Sequence, residues 1–147
     1  MGNRTDLKMG RRPRVILVVE DNPLVRLDAA QSLRDAGYDV HEAADSQQAI
    51  SFLRSTSAVD LIFTDVNLGK GMNGVELALW ALANTPRLKV LLTTGERLGP
   101  AIPTALGAIL AKPYAVRELL RRVAHALGDL ARPAVAPAAE ARRGRGC

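Results

Sequence analysis

Two acids stand side by side at Glu20 and Asp21, directly behind the apolar run VILVV and just ahead of Asn22 and Pro23. Further along, Asp65 closes the run LIFT, Thr94 closes VLLTT and Lys112 follows AILA. If these runs lie next to one another, three carboxylates, a hydroxyl and an amine meet in one place. Crowded carboxylates raise one another's pKa, so the cluster is tolerable only when a cation joins it. Oxygen ligands with no histidine or cysteine nearby favour Mg²⁺, which takes a few carboxylates, keeps several waters and accepts phosphate oxygens. Asp65 stands alone before VNLGKGMNG, whose glycines allow close backbone approach. A metal-bound carboxylate facing solvent beside a lysine is equipped to attack a phosphoryl group and become an aspartyl phosphate. Such transfer asks mainly for positioning and charge neutralisation, which Mg²⁺ and Lys112 would supply. Thr94 can donate its hydroxyl to the new phosphoryl oxygens.

The elements that must position these groups are visible as alternating patterns. Short runs at 15–19, 38–43, 61–64, 90–94 and 108–111 predict five strands. Three of them are almost continuously apolar, the mark of strands covered on both faces. Between them lie helical periodicities. Val25, Ala29, Leu33 and Ala36 share a face, with Asn22 as N-cap, Pro23 at the first helical position and Gly37 beyond the end. Ala49, Ile50 and Leu53 predict a shorter helix after Asp45, and Val75, Ala78, Leu79 and Leu82 a third. Val116, Leu119, Leu120, Val123 and Leu127 form the cleanest stripe, which stops at Gly128. A helix within ERLGPAIPTALG is disfavoured, because Pro100 and Pro103 interrupt it. Trp80 is read as helix packing, and the separated His41 and His125 are given no metal or catalytic role. Strands alternating with helices imply an α/β fold, a doubly wound parallel sheet with helices on both faces. In such sheets the ligand site lies beyond the carboxyl ends of the strands, where the polar residues fall.

A length of 147 residues suits one domain with a real core. Charge is unevenly divided along it. The net +5 is made of +4 in residues 1–14 and +3 in residues 131–147, which leaves −2 for the segment between. The expected organisation is a basic flexible segment at 1–13, one domain at 14–130 and a disordered Ala/Pro/Arg-rich tail at 131–147. No apolar run reaches the length of a membrane span, and the basic N-terminus is not followed by the apolar region of a signal peptide. Asp6 also breaks the myristoylation pattern. A cytoplasmic location is expected, with no membrane partner. The single cysteine, Cys147, permits no internal disulfide.

The motifs VVEDNP, LIFTDVNLGKGMNG, VLLTTGE and AKPY, in this order and on these strand ends, resemble a bacterial two-component response-regulator receiver domain over roughly residues 14 to 129. The resemblance implies a flavodoxin-like sheet of strand order 2-1-3-4-5. It also implies Asp65 as the phosphoacceptor, with Thr94 and Lys112 at the phosphoryl group. Asp21, Asp65 and the Asn67 backbone carbonyl would be direct Mg²⁺ ligands, and Glu20 would act through a metal-bound water. A cis Lys112-Pro113 bond is implied too. The expected partners are a histidine kinase or histidine phosphotransfer protein and a downstream protein. Two departures stand out. Glu20 replaces the frequent Asp, and Ile109 replaces the aromatic residue of the family's switch position, which leaves the usual Thr–aromatic coupling without its ring.

About seventeen residues follow the last predicted helix, too few for a DNA-binding output domain. The expectation is therefore a stand-alone phosphoacceptor module acting through protein contacts. It would be a regulatory protein rather than an enzyme with sustained turnover, capable of self-catalysed phosphotransfer and slow autodephosphorylation. A phosphatase of the haloacid-dehalogenase type also forms an aspartyl phosphate, but its second Asp, two residues on, is here Asn67. The basic ends, with Arg142, Arg143 and Arg145, could contact nucleic-acid phosphates. A solubilising role is preferred, and nucleic acid is not an expected partner. A phosphorylation-independent pseudo-receiver is disfavoured because the acids, Thr94 and Lys112 are all present.

Overall fold

A computed structural model describes residues 12–56, 58–95, 102–107 and 109–129. Expectations for residues 1–11, for 96–101 within the doubtful fourth helix, and for the 131–147 tail lie outside this set. Five strands, β1 (Val15–Val19), β2 (Asp39–Ala43), β3 (Leu61–Asp65), β4 (Lys89–Thr94) and β5 (Ile109–Ala111), form one parallel sheet in the order β2-β1-β3-β4-β5. Among the described residues four α-helices connect or follow them: α1 (Pro23–Asp35), α2 (Ser46–Ser55), α3 (Gly74–Asn84) and α4 (Val116–Leu127). The fold is the doubly wound α/β arrangement that the sequence implies.

Side-chain alternation along β1 explains the layers. Ile16 and Val18 face a core made with Leu33 of α1, Phe63 of β3 and Leu119, Val123 and Leu127 of α4. Val15, Leu17 and Val19 face the opposite core, with Ala49 of α2, Ile62 of β3 and Leu77 and Ala81 of α3. Successive strand residues point to opposite faces, so a strand buried on both sides must be apolar throughout. A third cluster, with Val66, Val75, Ala78, Leu92 and Leu106, fills the β4–β5 end of the sheet.

Helix ends follow their sequence signals. The Asn22 side chain accepts hydrogen bonds from the amides of Leu24 and Val25 at 2.9 and 3.1 Å, and Pro23 opens α1. Beyond the Ala36 cap the chain turns at Gly37, whose φ of +102° suits a residue without a Cβ. Asp45 caps α2, and Asn73 with Glu76 forms a reciprocal capping box on α3.

Two expectations need correction. The α3 stripe assigned to Val75, Ala78, Leu79 and Leu82 is misplaced at Leu79, which is 46% exposed, while Leu77 and Ala81 are buried. The helix fills a corner between two apolar clusters, with Leu77 and Ala81 in one and Val75 and Ala78 in the other. Its buried sector is therefore broad and shifted, and Leu79 falls just outside. Strand limits also move slightly: β2 begins at Asp39, β3 takes in Asp65 and β4 begins at Lys89. Within the proline-containing segment the described residues hold a single 3₁₀ turn, Thr104–Leu106, entered from Pro103.

Candidate phosphoryl and metal site

The carboxyl ends of β1, β3, β4 and β5 carry the candidate site. The Glu20 amide extends the β1–β2 ladder by donating to the Ala43 carbonyl at 3.1 Å, which fixes the chain as it leaves β1. Arg26, one turn into α1, donates to the Glu20 carbonyl at 2.9 Å and is itself paired with Glu42 of β2. The acidic turn is thus held from two neighbouring elements. Ligand oxygens of Glu20, Asp21 and Asp65 lie within 4.8 Å of one another. Glu20 and Asp65 are buried, at 5% and 6% exposure, while Asp21 faces solvent.

Lys112 bridges the two buried acids. Its Nζ donates to Glu20 Oε1 at 2.9 Å and to Asp65 Oδ2 at 2.7 Å. The remaining oxygens accept backbone amides, Glu20 Oε2 from Asn22 at 3.1 Å and Asp65 Oδ1 from Asn67 at 2.9 Å. Lys112 reaches this position because its own amide donates to the Thr94 carbonyl at 3.0 Å, continuing the β4–β5 pairing past Ala111. The Lys112-Pro113 bond is cis, as the resemblance implies. Adjacent threonines at the end of β4 differ in their environment. The Thr93 hydroxyl is buried and donates to the Leu110 carbonyl at 2.7 Å, whereas Thr94 is half-buried at the sheet's end beside Lys112.

The loop from Val66 to Asn73 closes the site. The Val66 amide donates to the Thr93 carbonyl, and Leu68 is buried under α2 and α3. At Gly69, with φ of +83°, a Cβ would stand 3.1 Å from Asp21 Oδ2, so the backbone passes close to that carboxylate. Gly74 is required for a different reason: a Cβ there would collide with the Asp65 carbonyl.

Burial acts on Glu20, Lys112 and Tyr114. It pushes the Glu20 carboxyl above its ordinary value, with the Asp65 charge adding to the effect and the Lys112 and Asn22 hydrogen bonds opposing it. For Lys112 burial works downward but is outweighed by hydrogen bonds and charge from Asp65 and Glu20, and the ammonium is held above its usual range. Tyr114, two residues on, is pushed up to about 12 by burial, with Lys112 opposing. Its ring meets Phe63 edge-on at 5.9 Å between centroids.

Three carboxylates against one ammonium leave the cluster with a formal charge of −2. One divalent cation balances that charge, and every donor is a hard oxygen, so the residues fit Mg²⁺ chemistry. The side chains of Glu20, Asp21, Asp65 and Lys112 meet at one sheet edge, with Thr94 at the neighbouring strand end, where its carbonyl accepts the Lys112 amide, and Asn67 donating its amide to Asp65. Two residues that serve the site, Arg26 and Ser46, gave no sequence signal. Arg26 acts on a carbonyl six positions back. Ser46 accepts the Met72 amide at 3.0 Å across a separation that periodicity does not encode. His41 and His125 take no part; His41 stacks on Phe52 at 4.6 Å. Trp80 packs between α2 and α3, with the Arg54 guanidinium 5.7 Å from its ring centre.

Residues 16–124 match the family model of the response regulator receiver domain. The transcriptional regulatory protein PdtaR of Mycobacterium tuberculosis is 31% identical over 112 residues, covering 74% of this chain and 54% of that protein. The regulatory protein VirG of Agrobacterium tumefaciens is 32% identical over 117 residues, covering 76% of this chain and 43% of that protein. The chain thus spans about half the length of these relatives. A response regulator receiver protein from Sinorhizobium medicae superposes with a TM-score of 0.70 at 27% identity, over 80% of this chain and 96% of that one.

Proposed function

From the premise that this chain belongs to the response regulator receiver family, we propose that it accepts a phosphoryl group on Asp65 from a histidine kinase or histidine phosphotransfer protein, in a Mg²⁺-dependent reaction. The observation that carries this is the Lys112 ammonium held between Asp65 and Glu20, with the Asp21 carboxylate alongside.

In this reading an Asp65 carboxylate oxygen attacks the phosphorus of a phosphohistidine. A new P–O bond forms, the P–N bond breaks, and the imidazole leaves with its electron pair. Lys112 already touches Asp65 Oδ2, so its charge lies beside the incoming phosphoryl oxygens and offsets what they bring. Thr94, on the neighbouring strand end, donates its hydroxyl to the same group. Asp21, Asp65 and the Asn67 carbonyl would hold the ion, with Glu20 acting on it through water. When bound, Mg²⁺ supplies charge neutralisation for a transition state that needs little covalent help from the protein. Water attacks the acyl phosphate slowly, so the protein acts as a timed signal rather than as an enzyme with sustained turnover. The signal passes to a downstream protein by contact, since charge added at this edge must bias a surface elsewhere to have an effect. No helix among the described residues is long and apolar enough to cross a membrane, and a cytoplasmic site of action fits a kinase partner of this type.

Incubation with Mg²⁺ and acetyl phosphate, followed by intact mass, tests the proposal. The expected result is one phosphate adduct per chain that does not form when a chelator is present from the start and is absent from Asp65→Asn. An unmodified wild-type chain under these conditions would count against it.

A further inference from the structure

Ser46 is the first residue of α2, directly after the Asp45 cap, and it is only 3% exposed. Its hydroxyl oxygen accepts the Met72 amide at 3.0 Å. The loop is pressed against it at the preceding residue, where a Cβ on Gly71 would stand 2.7 Å from Ser46 Oγ. This contact lies on the far arm of the Val66–Asn73 loop. The near arm is held by the Asn67 amide on Asp65 Oδ1 and by buried Leu68. The exit is fixed by the capping box of α3, in which the Asn73 amide donates to Glu76. Between these anchors the backbone at Gly69 passes beside Asp21. Ser46 thus ties α2 to residues 71–72 of the loop, two to three positions beyond the point at Gly69 that lies beside the exposed acid.

We propose that Ser46 is a positioning residue for cation binding, its bond to the Met72 amide holding the 66–73 loop over Asp21 and coupling α2 to the site. The inference rests on the function proposed above. Without the hydroxyl, the Met72 amide turns to water and the loop gains freedom that cation binding must then remove. The loss therefore falls on cation affinity and not on the phosphoryl step once the ion is bound.

The test uses the full chain with Ser46→Ala and Ser46→Thr. Mg²⁺ affinity is read by titration calorimetry, and Met72 amide exchange by NMR without Mg²⁺. Losing one hydrogen bond is expected to raise the Mg²⁺ Kd about 3- to 10-fold in Ser46→Ala and to speed Met72 exchange. Ser46→Thr, which keeps the hydroxyl, should restore both. Acetyl phosphate labelling at saturating Mg²⁺ should stay within about twofold of wild type, the signature of lost binding without a lost transition-state contact. If the alanine variant fails to fold, Ser46→Cys keeps the bulk with only a weak acceptor and reads the same loss. A wild-type chain that bound no Mg²⁺ would overturn the functional reading and this inference with it. A wild-type chain that bound Mg²⁺ with the affinity of Ser46→Ala or Ser46→Cys would overturn the inference alone.

Discussion

Lys112 holds two buried carboxylates with one ammonium, which makes it the residue whose loss is easiest to interpret. In Lys112→Ala, Glu20 and Asp65 would face each other with no cation between them. Breaking a largely buried pair in this way is expected to cost about 2 kcal/mol without divalent ions. Mg²⁺ bound at the folded cluster, as proposed, would return much of that stability. Urea unfolding of the variant with and without Mg²⁺ checks this, and an equal midpoint in both conditions would show that the acids do not share a cation site. The site residues were readable from sequence because each chemical group directly follows an apolar run, so strand order alone brings them together. Arg26 and Ser46 were not, because both act on backbone groups, and a backbone group carries no residue signature.

Among the elements, α3 shows how strongly the site depends on a short connection. Its first residue, Gly74, packs against the Asp65 carbonyl and donates its amide to Val66 at 2.7 Å, so strand end, loop and helix start share one tight corner. Gly74→Ala places a methyl where the Asp65 carbonyl stands, and overpacking of this kind is expected to cost about 3 kcal/mol and to displace Asp65. Thermal unfolding should show the loss, and acetyl phosphate labelling should fall with it; a stable, fully labelled variant would contradict the packing. Periodicity located α3 but misjudged its buried face at Leu79, since a helix wedged between two clusters buries a sector that a single stripe does not describe. In the proline-containing segment after β4, the described residues 102–107 hold a 3₁₀ turn, Thr104–Leu106, entered from Pro103. Where the chain has Ile109 in place of a ring, the side chain packs against the cluster of Val75, Leu92 and Leu106.

Across the whole molecule, the site and the core share Tyr114, which packs on the α1–α4 side of the sheet while sitting two residues from Lys112. Both groups hold their protons more tightly in the folded state. The stability this contributes is fully present below their ordinary values of 10.0 and 10.5, and is lost as pH rises through the raised ones, about 12 for Tyr114. Stability should therefore fall between pH 10 and 12, by at most about 1.4 kcal/mol per pH unit for each retained proton. Tyr114→Phe should flatten that slope in urea titrations; an unchanged slope would show that Tyr114 titrates normally. The sheet order itself came from the family likeness and not from the strand patterns, which fix the number and burial of strands but not their neighbours.

That order brings four stretches of chain, spread over more than ninety residues, to one sheet edge, where the third strand's carboxylate is proposed to become an acyl phosphate. The most direct measurement is borohydride reduction after Mg²⁺ and acetyl phosphate treatment, followed by peptide mass mapping. An acyl phosphate is reduced to the alcohol, so residue 65 should be recovered as homoserine, with Glu20 and Asp21 unchanged and no conversion after chelation. Reduction at Asp21 or Glu20 instead, or phosphate retained with residue 65 intact, would contradict the account.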